Sequence, residues 1–331
     1  MKAFIPSLGP DRLVSLADVA EPAPAPSEAV IEVAAYSVNR GETFVLESPP
    51  EAWRPGKDVA GIVLDAAADG SGPAAGTRVV AHPPASGWAE RVAVRTDLIA
   101  VLPSGISETV AAALPLAGLT ALRLARVAGP LASRRVLMTG ASGGVGHYFA
   151  ELAAMAGADL TVLTGTADRG ARLRELGARH VVQNLADANG PFDLVLESVG
   201  GDLLQQALVM LRPRGTLIWF GQASRTSPAL DFFRFWEGPA SATIRHFDYT
   251  DTDVADGRDL ETLVQLVADG RLHPEIGLVT DWMGTEDVLS VTGCVNPRKS
   301  GGKACSVAAT WWPVTWKQSA GDYGISRRLF L

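Results

Sequence analysis

Thr139-Gly140-Ala141-Ser142-Gly143-Gly144-Val145-Gly146 decides how this chain is read, because only a backbone stripped of side chains can lie against a pyrophosphate. The run follows Arg135-Val136-Leu137-Met138, which has the texture of a short buried strand. It opens a segment, His147 to Gly157, whose apolar residues recur at helical spacing. Strand, glycine turn and helix in that order predict a dinucleotide site. The glycines permit a tight turn and close approach, and the amides at the helix start hold negative charge. Gly140, Ser142, Gly143, Gly144, Val145 and Gly146 are thereby assigned to the cofactor. The plainer alternative is a glycine-rich turn with no ligand.

Downstream, strands and helices alternate. Helix Gly144 to Ala156 leads to strand Leu160 to Thr164, helix Asp168 to Leu176 and strand His180 to Gln183. Strand Asp193 to Glu197, helix Leu203 to Leu211, strands Thr216 to Phe220 and Ala242 to Phe247, and helix Asp259 to Asp269 follow. Repeated βα units joined by short turns predict a parallel, doubly wound α/β sheet that binds ligands at the carboxyl ends of its strands.

Upstream, the chain reads as β-rich, in runs such as Ala29 to Ala35, Ala60 to Leu64, Thr77 to Ala81 and Glu90 to Val94. Strands so closely spaced predict a barrel-like or sandwich domain. Helical periodicity sets in over Glu108 to Ala128, and β-like character returns in Ile276 to Trp282. The expected organisation is a β-rich domain over 1–111, a nucleotide-binding domain over 112–270 and a return to the first domain over 271–331. A substrate cleft between the two domains is expected.

The chain has 331 residues, enough for two cores, and a net charge of -7, which disfavours nucleic acid and anionic membrane as partners. No apolar run reaches bilayer length and no signal-peptide pattern opens the sequence, so a cytoplasmic enzyme is expected. The two cysteines, Cys294 and Cys305, suit neither a zinc ribbon nor a CxxC redox site, and a single disulfide between them stays open.

Five segments carry a family likeness. They are Ser37-Val38-Asn39-Arg40-Gly41-Glu42, Pro55-Gly56-Lys57-Asp58-Val59-Ala60-Gly61, Leu114-Pro115-Leu116-Ala117-Gly118-Leu119-Thr120-Ala121, the glycine run, and Leu196-Glu197-Ser198-Val199-Gly200-Gly201. In this order they resemble the medium-chain dehydrogenase/reductase superfamily, and within it the zinc-independent quinone oxidoreductase branch, over roughly residues 1 to 290. The resemblance implies a GroES-like catalytic domain built from both chain ends, a Rossmann domain between them, and a homodimer.

Two departures from the wider superfamily bear on chemistry. Its zinc alcohol dehydrogenases place a cysteine where Asn39 stands and a His-Glu pair where Lys57-Asp58 stands, and an amide and an ammonium do not replace thiolate and imidazole. The four-cysteine structural zinc lobe is missing too, and His82 alone reads as a loop residue. No metal is therefore expected. The carboxyl end departs further. Gly302-Lys303-Ala304 matches the family's Gly-Lys-Ala segment, which puts Lys303 among the cofactor contacts, but Val291 to Leu331 otherwise lacks the texture of the rest. A lineage-specific extension and a shifted reading frame would each produce it.

NAD-specific sites end the second strand with an acid that bonds the ribose 2′-hydroxyl. Here that strand runs into Thr164-Gly165-Thr166, with Arg169 a few residues on, where NADPH-using relatives often carry a basic residue. Guanidinium matches phosphate, so NADPH is expected over NADH, with Thr164, Thr166 and Asn184 completing the pocket. Asp168 competes for Arg169, and a solvated residue in the first helical turn is the alternative for Arg169.

The resemblance places Thr120, Ser198, Val199 and Gly221 at the nicotinamide, with Thr120 also a catalytic candidate. Asn39 is a candidate to polarise a substrate carbonyl, or else a turn-stabilising amide; Asp58 is a catalytic candidate that also suits a structural role. No tyrosine proton donor stands out, since Tyr36, just before the Asn39 motif, is open to either direction and Tyr148 suits packing, which leaves water to protonate the α-carbon. The functions compatible with all this are an NADPH-dependent quinone or α,β-unsaturated carbonyl reductase, a natural-product tailoring enzyme on the same fold (a stand-alone enoyl reductase or a cyclase), and a non-catalytic NADPH-binding protein.

Overall fold

In the computed structural model, residues 1–7, 12–280, 289, 314–318 and 327–330 are described. The chain divides into two units, one of 1–119 with 254–331 and one of 120–253. These divisions fall at 119/120 and 253/254, rather than at the 111/112 and 270/271 read from the sequence.

The first unit opens with β1 (Lys2–Pro6) and β2 (Val14–Asp18), which pair with each other. Then come β3 (Glu28–Val38), α1 (Arg40–Glu47), β4 (Val59–Asp65), β5 (Arg78–Ala81), β6 (Arg91–Arg95), β7 (Ile99–Val101) and α2 (Glu108–Ala112). The spine is β3, buried along most of its eleven residues because partners flank it on both edges. Its Val33 and Tyr36 join Val59, Val79 and Trp88 in one core, with the Tyr36 and Trp88 rings stacked at 5.6 Å.

The helix read over Glu108 to Ala128 is two helices, α2 and α3 (Pro115–Ala128). The break falls where Pro115, lacking an N–H, cannot continue a helix but can begin one.

The second unit carries β8 (Arg135–Met138), α4 (Gly144–Met155), β9 (Asp159–Leu163), α5 (Ala167–Glu175), β10 (His180–Val182), β11 (Phe192–Glu197), α6 (Asp202–Leu208), β12 (Leu211–Trp219) and β13 (Thr243–His246). Its six strands are all parallel, in the order β10-β9-β8-β11-β12-β13. Renumbered from β8, that is 3-2-1-4-5-6, the doubly wound Rossmann order, whose topological switch lies between β8 and β11. Leu211, read as the end of a helix, instead starts β12, because α6 stops at Leu208.

Further along, α7 (Asp256–Ala268) falls in the first unit, packed on β5 and β7, although its sequence read as the last helix of the alternating series. Three more strands, β14 (Leu278–Thr280), β15 (Val314–Gln318) and β16 (Arg327–Phe330), complete a sheet of order β14-β16-β15-β3-β4-β5-β7, with β6 also on β3. The α/β class, with a Rossmann sheet and a separate curled antiparallel sheet, is the one read from the sequence.

Candidate functional site

The glycine run sits at the topological switch, between the carboxyl end of β8 and the start of α4. Gly140 adopts φ of +60°, a left-handed conformation that side-chain-bearing residues resist. Gly146 lies in the first turn of α4, where a Cβ would stand 2.0 Å from the Ala141 carbonyl oxygen. The turn therefore lies directly against the helix, and the first-turn amides of α4, which have no acceptor within the helix, face outward from it. Ser142 and Gly143 complete the turn, with Gly143 as the residue that caps α4. The turn suits a pyrophosphate: glycines at 140, 143, 144 and 146 leave its backbone open to close approach, and the first-turn amides of α4 supply N–H donors.

The strand-end loops converge on it. The Ser198 hydroxyl donates to the Thr139 carbonyl (3.2 Å), and the Ser198 amide donates to Thr139 Oγ1 (3.1 Å). A Cβ on Gly221, just past β12, would meet Ser198 Cβ at 3.2 Å, so those two loops touch. A Cβ on Gly140 would stand 3.3 Å from Val199 Cγ2, so Val199 lies beside the glycine turn. Thr120 opens this unit within α3 and is half-buried.

One strand further along the sheet, no carboxylate stands at the tip of β9. Thr164 is buried and donates its hydroxyl hydrogen to the Thr166 carbonyl (2.9 Å), so it shapes the loop instead of donating to a phosphate. Thr166 caps α5 and is exposed, and Arg169 is half-buried in that helix's first turn. Asn184 is also exposed, and its Oδ1 accepts from the Ala186 amide (3.0 Å). Lys303, Cys294 and Cys305 lie outside the described residues.

In the first unit, Asn39 and Asp58 come together in a buried polar cluster that the sequence did not reveal as one. The pairing of β3 with β4 sets Tyr36 opposite Val59, which brings Ser37 and Asn39 beside Asp58. Asp58 Oδ2 accepts from the Ser37 hydroxyl (2.6 Å) and from Asn39 Nδ2 (2.7 Å). Its Oδ1 accepts from the Leu116 amide (3.0 Å) and lies 3.1 Å from His82 Nδ1. Asn39 also caps α1: Glu42 Oε2 accepts from the Asn39 amide (3.0 Å) and from Asn39 Nδ2 (3.3 Å), and Glu42 Oε1 accepts from the Gly56 amide (2.7 Å). Both hydrogens of the Asn39 side chain are thus directed at carboxylates, the turn-stabilising geometry rather than that of a group reaching for a substrate carbonyl. The donor set does not fit zinc, because a cation at Asn39 would meet N–H groups.

Glu42 is the residue sequence reasoning missed here; its signal was an acid three positions after a capping asparagine. Burial, and then the neighbouring Asp58 carboxylate, push its carboxyl up to about 7, against the pull of the Asn39 and Gly56 amides. From the ordinary value of 4.5 up to about 7, the folded protein keeps a proton that the unfolded chain has lost. Stability is therefore full below 4.5 and falls as pH rises towards 7, by roughly 3 kcal/mol in all. Urea denaturation at pH 5 and pH 8 should show the decline in the wild type and not in Glu42→Gln; parallel profiles would refute it.

A family model described as zinc-binding dehydrogenase matches residues 144–269. The probable quinone oxidoreductase of Schizosaccharomyces pombe is 30% identical over 239 residues, covering 67% of this chain and 71% of that protein. That match shows the family. The chain belongs to the medium-chain dehydrogenase/reductase superfamily, in its quinone oxidoreductase-like branch.

The crystal structure of the quinone oxidoreductase from Thermus thermophilus, solved also with NADPH, superposes with a TM-score of 0.73 at 26% identity, covering 88% of this chain and 95% of that one. The spectinabilin polyketide synthase system protein NorB of Streptomyces orinoci is 30% identical over 315 residues, 91% of this chain. The chain spans 58%, 14% and 10% of the length of three curated relatives it matches, NorB being the second of these. Among the described residues of this family member, no group of three or more His, Cys, Asp or Glu is placed to hold a metal ion, and no helix is long and apolar enough to cross a membrane.

Proposed function

We propose that this chain is a zinc-independent, NADPH-dependent oxidoreductase acting on a quinone or an α,β-unsaturated carbonyl. One observation carries the reading: a glycine-rich turn at the Rossmann switch point, served by a second strand whose tip bears no acid. The NADPH complex of the Thermus thermophilus relative supports it. Bound there, NADPH would supply a hydride to the β-carbon of an enone or to a quinone, the proton coming from water.

The chain's own part is to hold and orient. The first-turn amides of α4 take the pyrophosphate, and Arg169 with Thr166 takes the 2′-phosphate. The backbone of Val199 and Gly221, with Ser198 and Thr120, bounds the nicotinamide. Asn39 and Asp58 act here as scaffold. A cytoplasmic homodimer completes the proposal; the four exposed residues of β13 at the sheet edge, and Phe233 and Trp236, each 80% exposed, support the assembly.

A second reading, an enoyl reductase of natural-product synthesis, is favoured by the NorB match, which takes in nearly this whole chain and only a small part of NorB. Fluorescence titration should show NADPH binding at least about tenfold tighter than NADH, and Arg169→Ala should weaken NADPH by about tenfold while sparing NADH. Turnover on free quinones or enones supports the first reading, and turnover confined to carrier-bound enoyl groups supports the second. Binding without turnover on any acceptor would leave a non-catalytic NADPH-binding protein.

A further inference from the structure

A buried carboxylate lies against the stem of the glycine turn. Glu197 is the last residue of β11 and is fully buried. Its Oε1 accepts from Thr139 Oγ1 (3.1 Å), from the Val199 amide (2.8 Å) and from the Gly200 amide (3.0 Å), and its Oε2 lies 3.1 Å from the Gly200 amide. Thr139 immediately precedes Gly140, and its hydroxyl oxygen accepts in turn from the Ser198 amide at 3.1 Å. A single carboxylate thus serves as common acceptor for the stem of the glycine turn and for the loop after β11, on the two sides of the topological switch.

A carboxylate suits this place because it carries acceptors on both oxygens and no hydrogen to set against an N–H. Burial raises its pKa, while the Gly200 and Val199 amides and the Thr139 hydroxyl draw it back. An apolar side chain would cost less to bury, so the charge needs a reason.

We infer that Glu197 is a positioning residue: it clamps the glycine turn to the Ser198–Gly200 loop, so that the two halves of a bound dinucleotide meet one preformed crevice. The inference rests on the dinucleotide reading above. The clamp lies at the switch point, away from the tip of β9, so its loss should weaken a ligand that crosses the switch and spare one that stops at the adenosine side.

NADPH and 2′,5′-ADP, titrated by calorimetry with thermal melts in parallel, separate these cases. In Glu197→Gln an amide N–H must face one of the loop's own N–H groups. NADPH affinity should then fall about tenfold while 2′,5′-ADP affinity stays within about twofold. Glu197→Asp keeps the acceptors and should recover part of the loss. Thr139→Val cuts the link from the turn's side and should show the same selectivity, whether or not Glu197→Gln folds. Equal weakening of both ligands, or NADPH affinity unchanged in Glu197→Gln and Thr139→Val, overturns the clamp. A wild type that binds neither ligand overturns the dinucleotide reading and the clamp with it.

Discussion

Gly146→Ala should lose NADPH binding by about a hundredfold or more. The added Cβ would fall 2.0 Å from the Ala141 carbonyl oxygen and 2.5 Å from Ala141 C and Cα. These are backbone atoms, with no rotamer to swing aside, and Ala141 is itself fully buried. Relief requires the turn to part from α4, and that displaces the amides proposed to hold the pyrophosphate. Strain of this kind costs roughly 3 kcal/mol of stability. The control is Gly105→Ala, where an added Cβ meets nothing within 4 Å. Fluorescence titration of both variants is the check. If Gly146→Ala bound NADPH within about threefold of the wild type, the turn would not be the cradle.

Asp58→Ala should cost about 3–5 kcal/mol of folding stability. The carboxylate accepts from the Ser37 hydroxyl, the Asn39 side-chain amide and the Leu116 N–H, and His82 lies against it. Alanine would strand these donors where little water reaches them, since Ser37 is fully buried and Asn39 nearly so. The Asn39 side chain would keep only its 3.3 Å bond to Glu42. Urea unfolding reads the cost directly, and a loss below about 1 kcal/mol would show that the cluster does not need its central acceptor. Stability kept but turnover lost would place Asp58 in the reacting machinery instead of the scaffold.

The parts legible in the sequence were those with a local cause. Gly140 to Gly146 announced its turn because glycine there answers a steric demand, and β8 and α4 flank it where periodicity put them. The sheet followed from the alternation of βα units. The parts that escaped were set by distant pairing. Ser37, Asn39 and Asp58 looked like separate motif residues, and only the register of β3 against β4 joins them. Glu42 was read as part of a motif rather than as the capping-box partner of Asn39 at the start of α1, since a helix of eight residues leaves almost no periodic trace. Glu197 read as a polar end to an apolar run, because its role depends on Thr139, 58 positions earlier. And α7 carries the same amphipathic pattern whichever unit it covers, so its sequence does not tell where it packs.

Strand β3 has consequences for how the protein is made. It pairs with β4 and β6 from its own neighbourhood, but at Ser37 and Val38 its partner is β15, far down the chain. A ribosome therefore releases β3 with part of one edge unpaired, and that edge waits until Val314–Gln318 has emerged. The six parallel strands, drawn from one continuous segment, wait for nothing at the carboxyl end. Vectorial synthesis thus favours maturation of the parallel sheet first and closure of the curled sheet afterwards. A ribosome stalled before β15 would leave the backbone beside Ser37 and its polar cluster unfinished, with every strand of the parallel sheet already made.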